Sequence, residues 1–220
     1  MKGEGEKVRT PEILAPAGDM TCLQAALDAG ADAVYFGLGE FNMRQRAGIN
    51  FSVEDLPEIR RRCEAARADG TPVKRYLTLN AIMFEGETEK VEGLIRAAKP
   101  YVDAFIVADW GVIALCRKAG VRFHVSTQMS ISNSAAVRFL KEQGASRVVL
   151  ARECTLAEVE RIVAAGGLEV ECFVHGAQCV AESGRCMLSH DAYGCSANRG
   201  ECRQPCRRTF LLKADRKSVG

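Results

Sequence analysis

The chain is predicted to fold as an α/β protein: a TIM-like (β/α) barrel with seven clear βα units, one short of closure, followed by a C-terminal cysteine-rich segment. Three observations predict it. Short apolar runs alternate strictly with amphipathic helical patterns, which calls for a parallel sheet. The runs are apolar enough to be buried on both faces. Five of the ten cysteines then crowd behind the last run.

The runs and helical patterns follow in order. EILAPAG from Glu12 precedes MTCLQAALDAG, and DAVYFGLG from Asp32 precedes SVEDLPEIRRRCEAARADG. VKRYLTLNA from Val73 leads to ETEKVEGLIRAAKPY, and DAFIVADWG from Asp103 leads to VIALCRKAG. RFHVSTQMS from Arg122 is followed by SNSAAVRFLKEQGA, and RVVLAREC from Arg147 by TLAEVERIVAAGG. LEVECFVHG from Leu168 is the seventh run. Within the helical patterns, apolar residues recur at three and four, as in Leu156, Val159, Ile162 and Val163. Helix starts carry Ser52 or Thr155 with an acidic residue shortly after, and Gly30, Gly70, Gly120, Gly144 and Gly166 stand at the opposite ends.

A closed barrel needs eight strands. TFLLKADR from Thr209 is the remaining candidate, with no helix after it. The competing architecture is a doubly wound open sheet, against which no GxGxxG turn follows the first strand. The organisation read from this pattern is a polar extension over residues 1–10, a barrel over 11–178, a cysteine-rich segment over 179–208 and a basic tail over 209–220. Two unpaired sheet edges would need closure by that tail or by dimerisation.

Composition excludes little. The 220 residues allow a sizeable core, and a net charge of +2 selects no class of partner. MKGEGEKVRT lacks the apolar centre of a signal peptide, and no later run is long enough to span a bilayer. A cytoplasmic protein is expected, in which thiols stay reduced and dense cysteines point to metal or catalysis rather than disulfides.

In a barrel, function collects at the C-terminal strand ends. Those ends carry Arg44, Asn80, Asp109, Thr127, Gln128, Arg152, Glu153 and His175. Arg44, Asn80, Asp109, Gln128 and Arg152 are the candidate substrate contacts, with Arg suited to a carboxylate or phosphate. His175 and Glu153 are the candidates for proton transfer.

Cys22, Cys63, Cys116, Cys154 and Cys172 fall in helices or strands and read as small core residues. Cys179, Cys186, Cys195, Cys202 and Cys206 form the cluster, with C-x6-C and C-x3-C spacings. Neither zinc-knuckle nor ferredoxin spacing is present, so zinc and iron–sulfur both stay open. Gly176, Gly184, Gly194 and Gly200 would let backbone N–H groups approach sulfur. Arg185, Arg199, Arg203, Arg207 and Arg208 would offset a thiolate cluster's charge or bind an anionic substrate such as RNA. No HExxH or GxSxG motif accompanies His124, His175 and His190. His175 beside Cys179 leaves a cysteine-peptidase arrangement as an alternative.

ILAPAGD, GADAVYFG, FNMR, YLTLN, FVHGAQCVAESGRCMLS and ANRGECRQPCR together resemble the peptidase U32, or collagenase-like protease, family, from about Pro11 to Arg208. The resemblance implies two activities: a peptidase of unknown catalytic type, or oxygen-independent hydroxylation of a tRNA or rRNA base or of the ubiquinone ring. For the RNA-modifying members it implies prephenate as hydroxyl source. It also implies a 4Fe-4S cluster, with Cys179, Cys186 and Cys202 matching three ligands and the fourth either Cys206, as in RNA-modifying members, or a cysteine further downstream, as in other members, while Cys195 has no counterpart. Zinc is the alternative metal. Expected partners are RNA or a small-molecule substrate and a second family subunit or homodimer, with a non-catalytic cluster-binding subunit as a further reading.

Overall fold

The computed structural model describes residues 10–43, 45–46 and 49–210. Its strands are β1 (Leu14–Pro16), β2 (Ala33–Gly37), β3 (Lys74–Leu79), β4 (Ala104–Val107), β5 (Phe123–Val125), β6 (Arg147–Val149) and β7 (Glu169–Glu171). They alternate with α1 (Met20–Asp28), α2 (Leu56–Ala65), α3 (Thr88–Ala98), α4 (Trp110–Ala119), α5 (Ser134–Glu142) and α6 (Leu156–Ala164). All pairings are parallel and the order is β1-β2-β3-β4-β5-β6-β7. A doubly wound sheet reverses its strand order at a switch point, so this sequential order rejects that alternative.

The sheet is curled rather than flat. Arg147, which opens β6, donates to Glu12, just before β1, at 2.8 Å. Five strand spacings would separate those strands by about 24 Å in a flat sheet, beyond the reach of two side chains. The candidate eighth strand lies largely outside the described residues, and Thr209 and Phe210 are not in a strand.

The two faces of the sheet bury different things. Alternate strand residues such as Phe36, Leu77, Leu79, Phe105, Phe123 and Val125 pack outward against Leu23, Ile59, Ile95, Ile113 and Leu140 of the helices. Helix formation is locally encoded: Thr155 caps α6, accepting from Glu158 N, while the Glu158 carboxylate accepts from Thr155 N at 2.7 Å. The concave face holds a small cluster of Ala33, Tyr76, Ala104 and Ile106, and around it the interior is polar. Arg147 also donates to Glu169 at 2.8 Å and Glu171 at 3.3 Å and lies over the Tyr76 ring. The Tyr76 hydroxyl donates to Glu12 at 2.9 Å. His124 stands edge-on to Tyr76 at 4.6 Å between ring centroids.

This network belongs to the N-terminal end of the sheet. Burial opposes ionisation of Glu12, yet hydrogen bonds from Arg147 and Lys74 outweigh it and hold the carboxyl down at about 2. Burial pushes Glu171 up, against the pull of Arg147. Burial pushes His124 down to about 3, helped by Arg147 and Arg122, so the imidazole is neutral. Its Nδ1 is buried with no hydrogen-bond partner.

Candidate functional site

The opposite, C-terminal end of the sheet is covered by the chain that follows β7. This cysteine-rich segment holds a short helix, α7 (Leu188–Tyr193), and single helical turns at Ala197–Arg199 and Pro205–Arg207. Sequence periodicity gives no warning of α7, because six residues make too little repeat to read. Fully buried Ser189 sits at its centre: its hydroxyl accepts from Arg203 N at 3.2 Å, and its carbonyl faces the Cys195 thiol. That thiol also donates to Glu201 O at 3.3 Å, so Cys195 ties the segment together internally.

Four contacts fasten this lid to the strand ends. Arg199 grips Glu87, ahead of α3, through two nitrogens at 2.9 and 2.5 Å, donates to Ile82 O at 2.7 Å and lies over the Phe84 ring at 4.2 Å. The Arg199 hydrogen bonds hold the Glu87 carboxyl down at about 2. Gly200 lies so close to the Asn42 carbonyl, after β2, that any Cβ would collide with it. Gly184 meets the Gln128 carbonyl, after β5, in the same way. Finally Arg152, after β6, donates to the Ser183 hydroxyl and lies over Phe173 at 4.6 Å. Gly184 and Gly200 therefore serve backbone approach to the barrel rim rather than approach to sulfur, and Arg199 serves as an anchor rather than as a charge free for a cluster or an anionic substrate. The Gly and Arg of ANRGEC were legible as special, but their partners lie more than 100 residues away.

The expected substrate contacts fall into two groups. Asn80 accepts from Met43 N at 3.0 Å and donates to Ser126 Oγ at 3.1 Å, bridging two rim loops. Asp109 caps α4, accepting from Gly111 N at 2.7 Å and Val112 N at 3.3 Å, and also accepts from Met83 N. Both have their polar atoms committed to loop positions. Gln128 and Arg152 sit against the lid, and the Gln128 Oε1 is buried without a hydrogen-bond partner. Arg44 lies outside the described residues. Glu153 and His175 are exposed on the same rim, after β6 and β7.

All ten cysteines are free thiols. Cys63 and Cys116 are buried, and burial pushes them up to about 11 and about 12, which makes them inert core residues. In the lid, Cys179 and Cys202 are exposed and Cys186 and Cys206 partly so. Arg207 donates to Gln178 O at 3.3 Å, which joins the stretches bearing Cys206 and Cys179. Asn198 accepts from Cys186 N at 3.1 Å, which joins Cys186 to the turn before Cys202. Among the described residues, no three His, Cys, Asp or Glu side chains are gathered closely enough to hold a metal ion. As chemistry the donor set fits a thiolate-bound metal: four free thiols, exposed or partly exposed, in one small folded segment. As geometry it is not assembled, and a metal there would need the four to be drawn together.

Beside the lid a cleft of about 360 Å³ opens between α4 and α5, lined by Trp110, Gln128, Met129, Phe139, Gly184 and Arg185 among others. No helix among the described residues is long and apolar enough to cross a membrane.

The family model described as peptidase family U32 matches residues 18–219. The chain is 44% identical over 207 residues to an uncharacterized protease of Methanocaldococcus jannaschii, covering 91% of this chain and 49% of that one. It is 41% identical over 214 residues to a collagenase of Porphyromonas gingivalis, covering 92% and 50%. It is 40% identical over 213 residues to tRNA hydroxylation protein P1 of Bacillus subtilis, covering 94% and 49%. The chain thus spans about half the length of the curated relatives it matches. A solved U32 peptidase superposes with a TM-score of 0.60 at 12% identity, covering 78% of this chain and 72% of that one, a likeness of fold. Motifs, family model and relatives agree: this chain belongs to peptidase family U32.

Proposed function

We propose that this chain is the barrel and cluster-binding part of a cytoplasmic enzyme for oxygen-independent hydroxylation of an RNA base. The observation that carries the reading is the lid itself: a segment rich in accessible thiols and arginines, anchored over the C-terminal strand ends where barrel enzymes keep their chemistry. A relative 40% identical over 213 residues is named for tRNA hydroxylation.

Cys179, Cys186, Cys202 and Cys206 would hold a 4Fe-4S cluster, with Cys195 left to its structural contacts. A bound cluster would supply one-electron redox chemistry at the rim. Arg152 and Arg44 would bind the carboxylates of a hydroxyl donor such as prephenate, or an RNA phosphate. His175 and Glu153, both accessible, would move protons between donor and base. Asn80 and Asp109 act earlier, by holding the rim loops in place. A second family subunit or a second copy of this chain is the expected protein partner.

The test is nucleoside analysis of RNA from cells that express the chain, with and without Cys179→Ala. Gain of one oxygen atom on a pyrimidine nucleoside, abolished by the substitution, is the expected result. The second reading, a peptidase, rests on relatives named protease and collagenase. It expects unmodified RNA together with peptide cleavage that survives iron removal and is lost in His175→Ala. That outcome would replace the first reading.

A further inference from the structure

The cleft between α4 and α5 has a composition that neither the barrel's packing nor the lid's anchoring calls for. Trp110, at the first position of α4, is 54% exposed, and Phe139 on α5 is 50% exposed. The two rings meet edge to face, 6.0 Å between centroids. Paired, half-exposed rings beside a cleft offer flat apolar faces on which a planar group can stack. The aliphatic floor is Met129, Ile131 and Leu140, and one wall is the Gly184–Arg185 backbone of the lid.

The polar groups are few and specific. Gln128 lines the cleft, its Oε1 buried against the lid's Gly184 with no hydrogen-bond partner, and a terminal amide offers both a donor and an acceptor, as the edge of a base does. Arg185 stands at the rim, its side chain 68% exposed and paired with Glu182 at 3.1 Å, a surface contact easily exchanged for a phosphate. Two aromatic rings, one amide and one rim cation are the parts of a site for a single unstacked nucleotide: rings for the base face, amide for its edge, cation for the backbone. The volume, about 360 Å³, suits one nucleotide rather than a duplex.

We propose that the Trp110–Phe139 cleft binds one splayed-out nucleotide of a single-stranded RNA segment, next to the base that reacts. The inference rests on the RNA reading above and adds where the strand is held. It also couples recognition to the cysteine loop: Gly184 and Arg185 immediately precede Cys186, so a nucleotide against them bears on a proposed cluster ligand.

Trp110 is the chain's single tryptophan, so its fluorescence reports this cleft alone. Anaerobically prepared full-length protein is titrated with a short single-stranded RNA, an abasic ribose-phosphate oligomer of equal length and a phenylalanine-containing peptide. Saturable quenching by the RNA, absent with the abasic oligomer and the peptide, is expected. Phe139→Ala, its fold checked by circular dichroism, should weaken RNA binding at least about fivefold, the lower end for a lost base-stacking contact. Equal quenching by the abasic oligomer, saturation by the peptide, or a fluorescence change on concentrating the protein alone would overturn the inference. RNA that binds and is hydroxylated while Trp110 stays unchanged would sink the cleft and leave the proposed function standing. Quenching by RNA without any hydroxylation would do the reverse.

Discussion

The two ends of this barrel are built from opposite materials. At the N-terminal end, Arg147 is 9% exposed and bound to largely buried Glu12 and Glu171 and to exposed Glu169, and these ion pairs draw β6 and β7 towards β1. At the C-terminal end the thiols, Glu153 and His175 stand accessible, and the lid above them is held by a handful of polar and close-packed contacts. One end commits its buried polar groups to holding the curl; the other fixes Asn80, Asp109 and Arg199 in the rim and lid and leaves Cys179, Cys202, Glu153 and His175 exposed. The difference is the one expected of barrel enzymes, in which the N-terminal face carries stability and the C-terminal face chemistry.

Substitutions at each end should separate these roles. Arg147→Met removes the cation from three carboxylates and should cost about 3–5 kcal/mol, because truncating one partner of a buried network strands the others. Chemical denaturation would read this as a large drop in midpoint; a drop no greater than that of an exposed Arg60→Met variant would break the comparison. Arg199→Ala should cost far less, roughly 1–2 kcal/mol, since the Arg199–Glu87 pair is partly exposed. Its effect should be local instead: hydrogen exchange rises across residues 195–203 while the strands stay protected. Uniform loss of protection would mean that the lid is part of the barrel's cooperative core.

A pH-dependent effect concerns His124. Its ordinary value of 6.5 falls to about 3 in the fold, so below pH 6.5 the unfolded chain binds a proton that the folded chain refuses. Stability from this group is therefore complete above pH 6.5 and declines as pH falls towards 3, by up to about 1.4 kcal/mol per pH unit. Glu12, Glu171 and Arg147 face the same interior and titrate or shift with it, so the useful quantity is a difference. Wild-type stability minus that of His124→Phe should fall with that slope between pH 6.5 and pH 5; parallel profiles would show that the histidine carries no proton linkage.

Much of this molecule is legible in its sequence, and the limit has a physical cause. Strand and helix alternation, the Thr155 cap and the barrel order follow from periodicities of two and of three to four, which are local signals. Of the five cysteines read as core residues, Cys63 and Cys116 are buried, whereas Cys22 and Cys172 are exposed, because a helical or strand position does not by itself say which face a thiol takes. The lid is different. Arg199 and Glu87, Gly200 and Asn42, Gly184 and Gln128 are joined by tertiary contacts across long stretches of chain, and no local pattern encodes them. The family motifs carried that part, marking ANRGEC and VHGAQC as special without saying what each residue touches. Arg147 was read only as the start of an apolar run, and its ion pairs depend on the curl that brings Glu12 within reach.

The central claim is that the accessible thiols of the C-terminal end form an iron–sulfur site. Iron and acid-labile sulfide analysis of anaerobically purified protein tests it most directly, alongside Cys206→Ala and Cys195→Ala. About four iron and four sulfide per chain are expected, much reduced in Cys206→Ala and retained in Cys195→Ala. Stoichiometric zinc, or full activity with no metal, would contradict the account.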